Sequence, residues 1–311
     1  MPCNVLAIRN FHAWSWSCVW TLLKKYLQQQ GPYIFEDVIK ERTEKIHLAE
    51  TKADIILVQN VDSLNLITDN TKAVVRIGGI AMQNGLTPST CHMYDKILKQ
   101  VGAIIGTNDA LSSIGRRVNP NTFTIPNGID LDLFCVPNRQ KHTPFTVGFA
   151  GNISVTHYMQ YKGYPQIVAA CNDLVMDVVL KGTFYGRGQL LHMDMPSKFY
   201  AQIDCLVNAS EGEGCSNTIM EALACGVPVI ISRVGYHGEY LTDGVNCLFI
   251  ERTSEDIRAK IKRLVNDPIL WKTLSHNGRI FAEQYHDIRQ LATEYDKVFR
   301  LCLRKNNKEL L

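Results

Sequence analysis

Short apolar runs rich in branched residues alternate with longer segments of helical periodicity from one end of the chain to the other. In the first half, Val5–Ile8, Asp54–Val58, Ala73–Ile77, Ala103–Gly106 and Phe123–Ile125 predict strands; Ser17–Gln30, Glu36–Thr51, Ser89–Gln100 and Ala110–Val118 predict helices. The strand runs are apolar throughout rather than alternating. That suits strands covered on both faces, and hence parallel sheets crossed by helices. Asp130–Pro144 breaks the rhythm with Pro137, Pro144 and a polar centre, and predicts an inter-domain linker. A second series follows: strands at Thr146–Phe149, Asp177–Leu180, Cys205–Val207, Val229–Ile231 and Cys247–Ile250, helices at Gln166–Cys171 and Asn217–Ala224. Amphipathic helices from Glu255 to about Lys305 form a C-terminal tail. A chain of 311 residues exceeds what one core usually serves. The expectation is an α/β protein of two Rossmann-like domains, residues 1–143 and 144–311.

Composition narrows the class. With 46% hydrophobic and 20% charged residues the chain is an ordinary globular sequence. The net charge of +3 is far below that of a dedicated nucleic-acid binder. The excess sits in residues 1–143, with 15 Lys and Arg against 12 Asp and Glu. An anionic acceptor, or weak peripheral contact with a membrane surface, would dock there. The ten cysteines form no C-x-x-C pair, and several, such as Cys205 and Cys247, lie inside apolar runs. They read as reduced thiols that pack as small hydrophobes, which predicts a cytoplasmic compartment. No His/Cys spacing suits zinc, no leader pattern opens the chain, and no window approaches the roughly 18 apolar residues of a spanning helix. Neither a metal nor a transmembrane segment is expected.

Asn208–Arg233 carries the most chemistry. A strand ends in a loop rich in glutamate and glycine, and a helix begins near Ser216. Gly212 and Gly214 let backbone approach a ligand closely. The N–H groups around Cys215, Ser216, Asn217 and Thr218, with the helix dipole, make an anion site suited to a diphosphate. Glu221 follows one turn into the helix, where its carboxylate can accept from a ribose hydroxyl. Glu213 stands at the mouth of the same site. Carboxylates beside a phosphate cradle are costly unless they serve hydroxyls, so the implied ligand carries both phosphates and sugars. The plain alternatives are a solvated Glu221 and a helix-capping Glu213.

The segment Glu213-Gly-Cys-Ser-Asn-Thr-Ile-Met-Glu221, followed by Ala222-Leu-Ala-Cys-Gly-Val-Pro-Val229, resembles the Glu-x7-Glu hallmark of glycosyltransferases of family four. Three further segments match in order: Ile125-Pro-Asn-Gly-Ile-Asp130, Thr146–Gly151 with Tyr161-Lys-Gly163, and Gly235–Gly244 leading into Asn246–Ile250. The resemblance implies a GT-B fold, with two Rossmann-like domains whose parallel sheets face across a cleft and a helical C-terminal tail. It implies a retaining, metal-independent glycosyltransferase whose donor is a nucleotide-diphosphate sugar and which needs no further cofactor. Lys162 matches the lysine that neutralises the donor diphosphate, Glu221 the ribose-holding glutamate, and Glu213 the glutamate facing the donor sugar. Gly151 and Asn152 fall in the phosphate segment, where Asn152 replaces the usual arginine. Arg187, in a glycine-flanked loop, and Lys181 are the candidates to supply that charge.

The first half departs further from the family. Its first loop lacks the glycines that cradle a donor and offers Arg9, His12, Trp14 and Trp16 instead. Trp14 and its neighbours could stack on acceptor sugars; Trp16 and Trp20, spaced one helical turn apart, read as a buried stripe. Arg76, Gly78 and Gly79 lie in a second loop at the end of a strand expected to face the cleft. The acceptor stays open among glycan, lipid, small molecule and modified nucleic acid. Rival readings are a non-catalytic nucleotide-sugar-binding module, a sugar-nucleotide epimerase of the same fold, and a dehydrogenase. The absence of G-x-G-x-x-G after the first strand counts against the last.

Overall fold

A computed structural model describes residues 2–9, 14–59, 61–78, 94–153, 156–172, 174, 178–184 and 190–306, with backbone alone at 14–17, 178 and 184. The predicted site residues His12, Gly79 and Arg187, the side chain of Trp14 and the first part of the predicted helix Ser89–Gln100 lie outside the described residues. The chain forms two compact units: Met1–Gly128 with Ile288–Leu311, and Ile129–Asp287.

The first unit is built on a six-stranded sheet: β1 (Cys3–Arg9), β2 (Tyr33–Ile39), β3 (Ile55–Val58), β4 (Ala73–Ile77), β5 (Ala103–Gly106) and β6 (Thr122–Thr124). The order is β2-β1-β3-β4-β5-β6 and every pairing is parallel. Helices α1 (Trp14–Gln30), α2 (Thr43–Glu50) and α3 (Asp109–Arg116) alternate with the strands. β3 and β5 are buried along their whole length, which is why they read as unbroken apolar runs. Trp20 is fully buried in the core formed by α1 and the strands, as the helical spacing indicates.

Three sequence expectations need correction here. The predicted helix Glu36–Thr51 is a strand, β2, followed by the shorter α2. Among the described residues β2 is an edge strand paired with β1 alone, and it carries Glu36 and Asp37, residues that strands disfavour. Asp37 is tolerated because its carboxylate accepts from Trp20 Nε1 at 2.8 Å and Lys24 Nζ at 2.5 Å and pairs with Arg9 at 3.5 Å.

The second correction concerns Asp130–Pro144, which is not a free linker. Leu131 and Phe134 are buried in the second unit's core against Met195, Phe199 and Tyr200. Arg139 donates to the carbonyls of Tyr200, Ile203 and Cys225, and Asp204 accepts from the backbone and ring of His142. The segment is a strap bonded to the unit it precedes.

The third concerns the boundaries: the division is at Gly128 and again at Asp287, not at 143, because the last helix returns to the first unit. That helix, described below as the last element, buries Leu291, Ala292, Tyr295, Val298, Phe299 and Cys302 with the core of α1 and the sheet. Tyr33 OH donates to its Asp296 at 2.6 Å, and burial with that carboxylate pushes the Tyr33 phenol far above its ordinary range.

The second unit has a five-stranded sheet: β7 (Phe145–Gly151), β8 (Val178–Phe184), β9 (Cys205–Asn208), β10 (Val229–Ser232) and β11 (Leu248–Ile250). All pairings are parallel, in the order β11-β10-β9-β7-β8. Its helices are α4 (Thr156–Tyr161), α5 (Tyr164–Asn172), α6 (Met195–Lys198), α7 (Asn217–Ala224), α8 (Gly235–Tyr240), α9 (Ser254–Asn266) and α10 (Pro268–Tyr285); α11 (Ile288–Lys305) is the helix that rejoins the first unit. Nine cysteines lie among the described residues, most of them buried. Burial pushes the Cys171 and Cys247 thiols up to about 12, so they pack as apolar groups. No helix is long and apolar enough to cross a membrane among the described residues.

Candidate functional site

In the second sheet the chain runs outward from β7 to β8 on one side and from β7 to β9 on the other. The reversal opens a crevice outside the carboxyl ends of β7 and β9, where ligands bind in open parallel sheets. The turn between α4 and α5, which follow β7, supplies Lys162, and the loop after β9 supplies Glu213. The structure brings the two together: Lys162 Nζ donates to Glu213 Oε1 at 2.5 Å. Ser210 Oγ donates to the same oxygen at 2.8 Å. Among the described residues, the hydrogen bonds to the Glu213 carboxylate therefore fall on one oxygen.

Backbone geometry places this pair. Gly163, next to Lys162, has φ of +67°, and a Cβ there would stand 2.5 Å from the carbonyl oxygen of Ala209. Only glycine lets the two loops come so close. Tyr161 OH donates to the carbonyl of Gly212 at 2.8 Å, and Arg252 donates to the carbonyls of Ala209 and Gln160 while pairing with Glu211. Burial, reinforced by Glu213 and Glu211, raises the Tyr161 phenol to about 12, so it stays a donor at any working pH. On the other side Gly235, with φ of +62°, packs against the backbone of Glu213 and Gly214; a Cβ would lie 2.6 Å from the Glu213 carbonyl oxygen. Tyr236 N donates to the Gly214 carbonyl at 2.8 Å. Ser232 Oγ, at the end of β10, donates to the Ser210 carbonyl.

α7 begins at Ser216, its extended N-cap, which makes no side-chain cap hydrogen bond. Ser216 Oγ lies 3.2 Å from Thr218 Oγ1, and Asn208 Nδ2 reaches Ser216 Oγ. Cys215, Ser216 and Thr218 are buried. From Thr218 to Ala224 every residue of α7 is buried, so Glu221 is not a solvated surface residue. Its Oε2 accepts from Tyr200 OH at 2.7 Å, and His192 Nε2 lies 3.3 Å from Oε1. A buried carboxylate with two defined neighbours can receive hydroxyl donors on its remaining lone pairs.

The other predicted residues fall in different places. Gly151 ends β7, and Asn152 follows it half-buried. Lys181 pairs in register with Gly148, inside β8 rather than at its carboxyl end. In the first unit, Arg76 is buried on β4 and donates to Asn127 Oδ1. Gly78 makes room for it: a Cβ there would meet the Arg76 guanidinium at 2.1 Å. Arg9 pairs with Asp37. Sequence reasoning missed Tyr200, His192, Ser210 and Tyr161. The contacts of Tyr200, His192 and Tyr161 join elements far apart in the chain, while Ser210 meets Glu213 within one loop whose folding no spacing announces. Among the described residues no three His, Cys, Asp or Glu side chains cluster as a metal site.

Comparison with known proteins bears on the second unit. Residues 144–267 match the family model described as Glycosyl transferases group 1. An uncharacterized glycosyltransferase of Methanocaldococcus jannaschii is 30% identical over 146 residues, 41% of this chain and 42% of that protein. The chain thus aligns with less than half the length of that relative. Among solved structures, sucrose-phosphate synthase from Thermosynechococcus elongatus superposes with a TM-score of 0.79 at 16% identity, covering 97% of this chain and all of that one. Anabaena HepE, solved in complex with UDP and glucose, superposes with a TM-score of 0.73 at 16% identity, covering 94% and 98%. These similarities show the GT-B fold, two Rossmann-like units each with a parallel sheet.

Proposed function

We propose that this chain, whose residues 144–267 match the group 1 glycosyl transferases, moves a sugar from a nucleotide-diphosphate sugar to an acceptor hydroxyl with retention of configuration. The observation that carries this is the meeting of Lys162 and Glu213 at the switch point of the second sheet, beside the N-terminus of α7. The Anabaena neighbour's complex with UDP and glucose supports a nucleotide sugar as donor. The donor's diphosphate lies against Lys162 and the backbone at Ser216, Asn217 and Thr218, its ribose against Glu221, and its sugar against Glu213. Gly151 and Asn152 line the phosphate side.

Transfer loosens the anomeric C–O bond while charge grows on the leaving diphosphate. Lys162 and the helix terminus meet that charge from fixed positions, an effect worth a few kcal/mol per good donor. Lys162 is held between Glu213 and the diphosphate, so it is positioned before the bond breaks. The acceptor oxygen forms its bond to the anomeric carbon on the face the diphosphate leaves, and a departing phosphate oxygen takes the hydroxyl proton. Glu213 orients the sugar through its hydroxyls and forms no covalent bond. No glycosidase-type pair of carboxylates is required, and neither a cofactor nor a metal has a part in these steps. The acceptor is a hydroxyl of a glycan, a lipid, a small molecule or a modified nucleic acid, and the first unit carries its selection.

Calorimetric titration with UDP-, GDP- and ADP-sugars, beside Lys162→Ala and Glu221→Ala, tests the donor site. Saturable binding of one donor, weakened in both variants, is the expected result. Failure of every donor to bind the folded protein would remove it. Binding with no transfer across an acceptor panel would leave the non-catalytic module in its place.

A further inference from the structure

We infer that His192 is a positioning residue for nucleoside recognition: it faces one oxygen of the Glu221 carboxylate while Tyr200 holds the other. The inference rests on the proposal that Glu221 receives the donor's ribose. The terminal torsion of a glutamate is soft and broadly two-fold, so one hydrogen bond leaves the carboxylate plane free to swing. A second partner on the other oxygen defines it. Tyr200 OH provides the first at 2.7 Å on Oε2, and it also lies 3.2 Å from the Thr218 carbonyl of α7. His192 Nε2 stands 3.3 Å from Oε1.

The imidazole is itself held. Its ring packs on Phe134 with centroids 4.9 Å apart, and Phe134 is fully buried in the strap that closes the second unit. His192 opens a short 3-10 turn, His192–Asp194, that runs directly into α6. Phe134 in turn packs against Tyr200, with centroids 6.2 Å apart. Both partners of Glu221 thus stand on one aromatic support, supplied by a segment whose sequence suggests only a linker. The side chain of Glu221 is 6% exposed and that of His192 is 20% exposed, so the imidazole is the more open of the two. A vicinal diol needs the carboxylate plane turned so that each oxygen faces one hydroxyl. His192 sets that plane, and with it the preference for a ribose over a sugar lacking one of the two hydroxyls.

The test is calorimetry on the full chain. The probes are whichever of UDP, GDP and ADP binds the unaltered protein most tightly, and its 2′-deoxy counterpart. His192→Ala is expected to weaken the ribonucleotide about threefold to fivefold, the worth of a close ion-pair contact, and the deoxynucleotide far less. His192→Gln keeps a nitrogen near the place of Nε2 and restores most of the loss. In a Glu221→Gln background His192→Ala adds nothing further. Equal losses for both nucleotides, or a full loss from His192→Ala in the Glu221→Gln background, would overturn the positioning role as a mere packing effect. Unchanged binding in His192→Ala while Glu221→Gln loses affinity would overturn it with the proposed function intact. No nucleotide binding by the folded unaltered protein would remove both.

Discussion

The two units place charge differently. In the first, structural partners engage both oxygens of Asp37: Trp20 donates to one, while Lys24 and Arg9 reach the other. Arg76 is buried against Asn127. In the second, the donors to the Glu213 carboxylate among the described residues, Lys162 and Ser210, fall on Oε1. A carboxylate has about four acceptor positions, so Asp37 is committed to structure and Glu213 keeps capacity for a ligand. Burial alone does not mark a functional acid. What its partners leave open does: Glu221, held on both oxygens, still has lone pairs for hydroxyl donors.

The strongest break of this contrast is Lys162→Ala. With the donor bound, turnover is expected to fall by about 10²–10³, the usual loss on removing one fixed donor from a developing negative charge. Single-turnover kinetics measure it, and unchanged turnover would show that Lys162 serves only to neutralise Glu213. Next is Gly235→Ala, which combines a positive φ with a close approach to the Glu213 carbonyl. A loss of about 3 kcal/mol is expected in denaturant unfolding. Gly244→Ala is the control, since its φ is +71° but a Cβ there meets nothing within 4 Å; strain alone predicts about 1 kcal/mol.

A smaller effect comes from His237 on α8, fully buried with its ring 5.2 Å from that of His286. Burial, and secondarily His286, hold its imidazole well below the ordinary histidine value, so the folded unit keeps it neutral. The unfolded chain takes up the proton first as pH falls below about 6.5. Stability is therefore full above that pH and declines below it, by up to about 1.4 kcal/mol per pH unit for this one group. Urea midpoints at pH 7.5, 6 and 5 measure the slope, and His237→Gln is expected to flatten it. The smallest effect is Asp37→Asn. It should cost the first unit about 1 kcal/mol and leave nucleotide affinity unchanged, which sharpens the contrast with Glu213.

Much of the second unit is legible because its signals are local. Asn217–Ala224 is a helix with the bounds its pattern predicts, and Lys162, Glu213 and Glu221 stand in short motifs around strand ends. β2 was obscured because an edge strand carrying Glu36 and Asp37 imitates a helix, and only Trp20, Lys24 and Arg9, brought in by the fold, make Asp37 acceptable there. Leu131, Phe134 and Arg139 sit in a segment that reads as a linker because prolines and polar residues carry no period. Their partners, Tyr200, Ile203 and Cys225, lie 61 or more positions away.

By itself, then, the sequence determined the alternation of strand and helix, the parallel sheets and the glutamates, lysine and glycines of the second unit's loops, because periodicity and loop chemistry act over a few residues. The tertiary structure alone decided that the last helix joins the first unit, that the strap seals the second, and that Tyr200 and His192 face the two oxygens of Glu221. Those outcomes depend on which apolar faces find each other across long separations, and on which buried polar atoms must then be given partners.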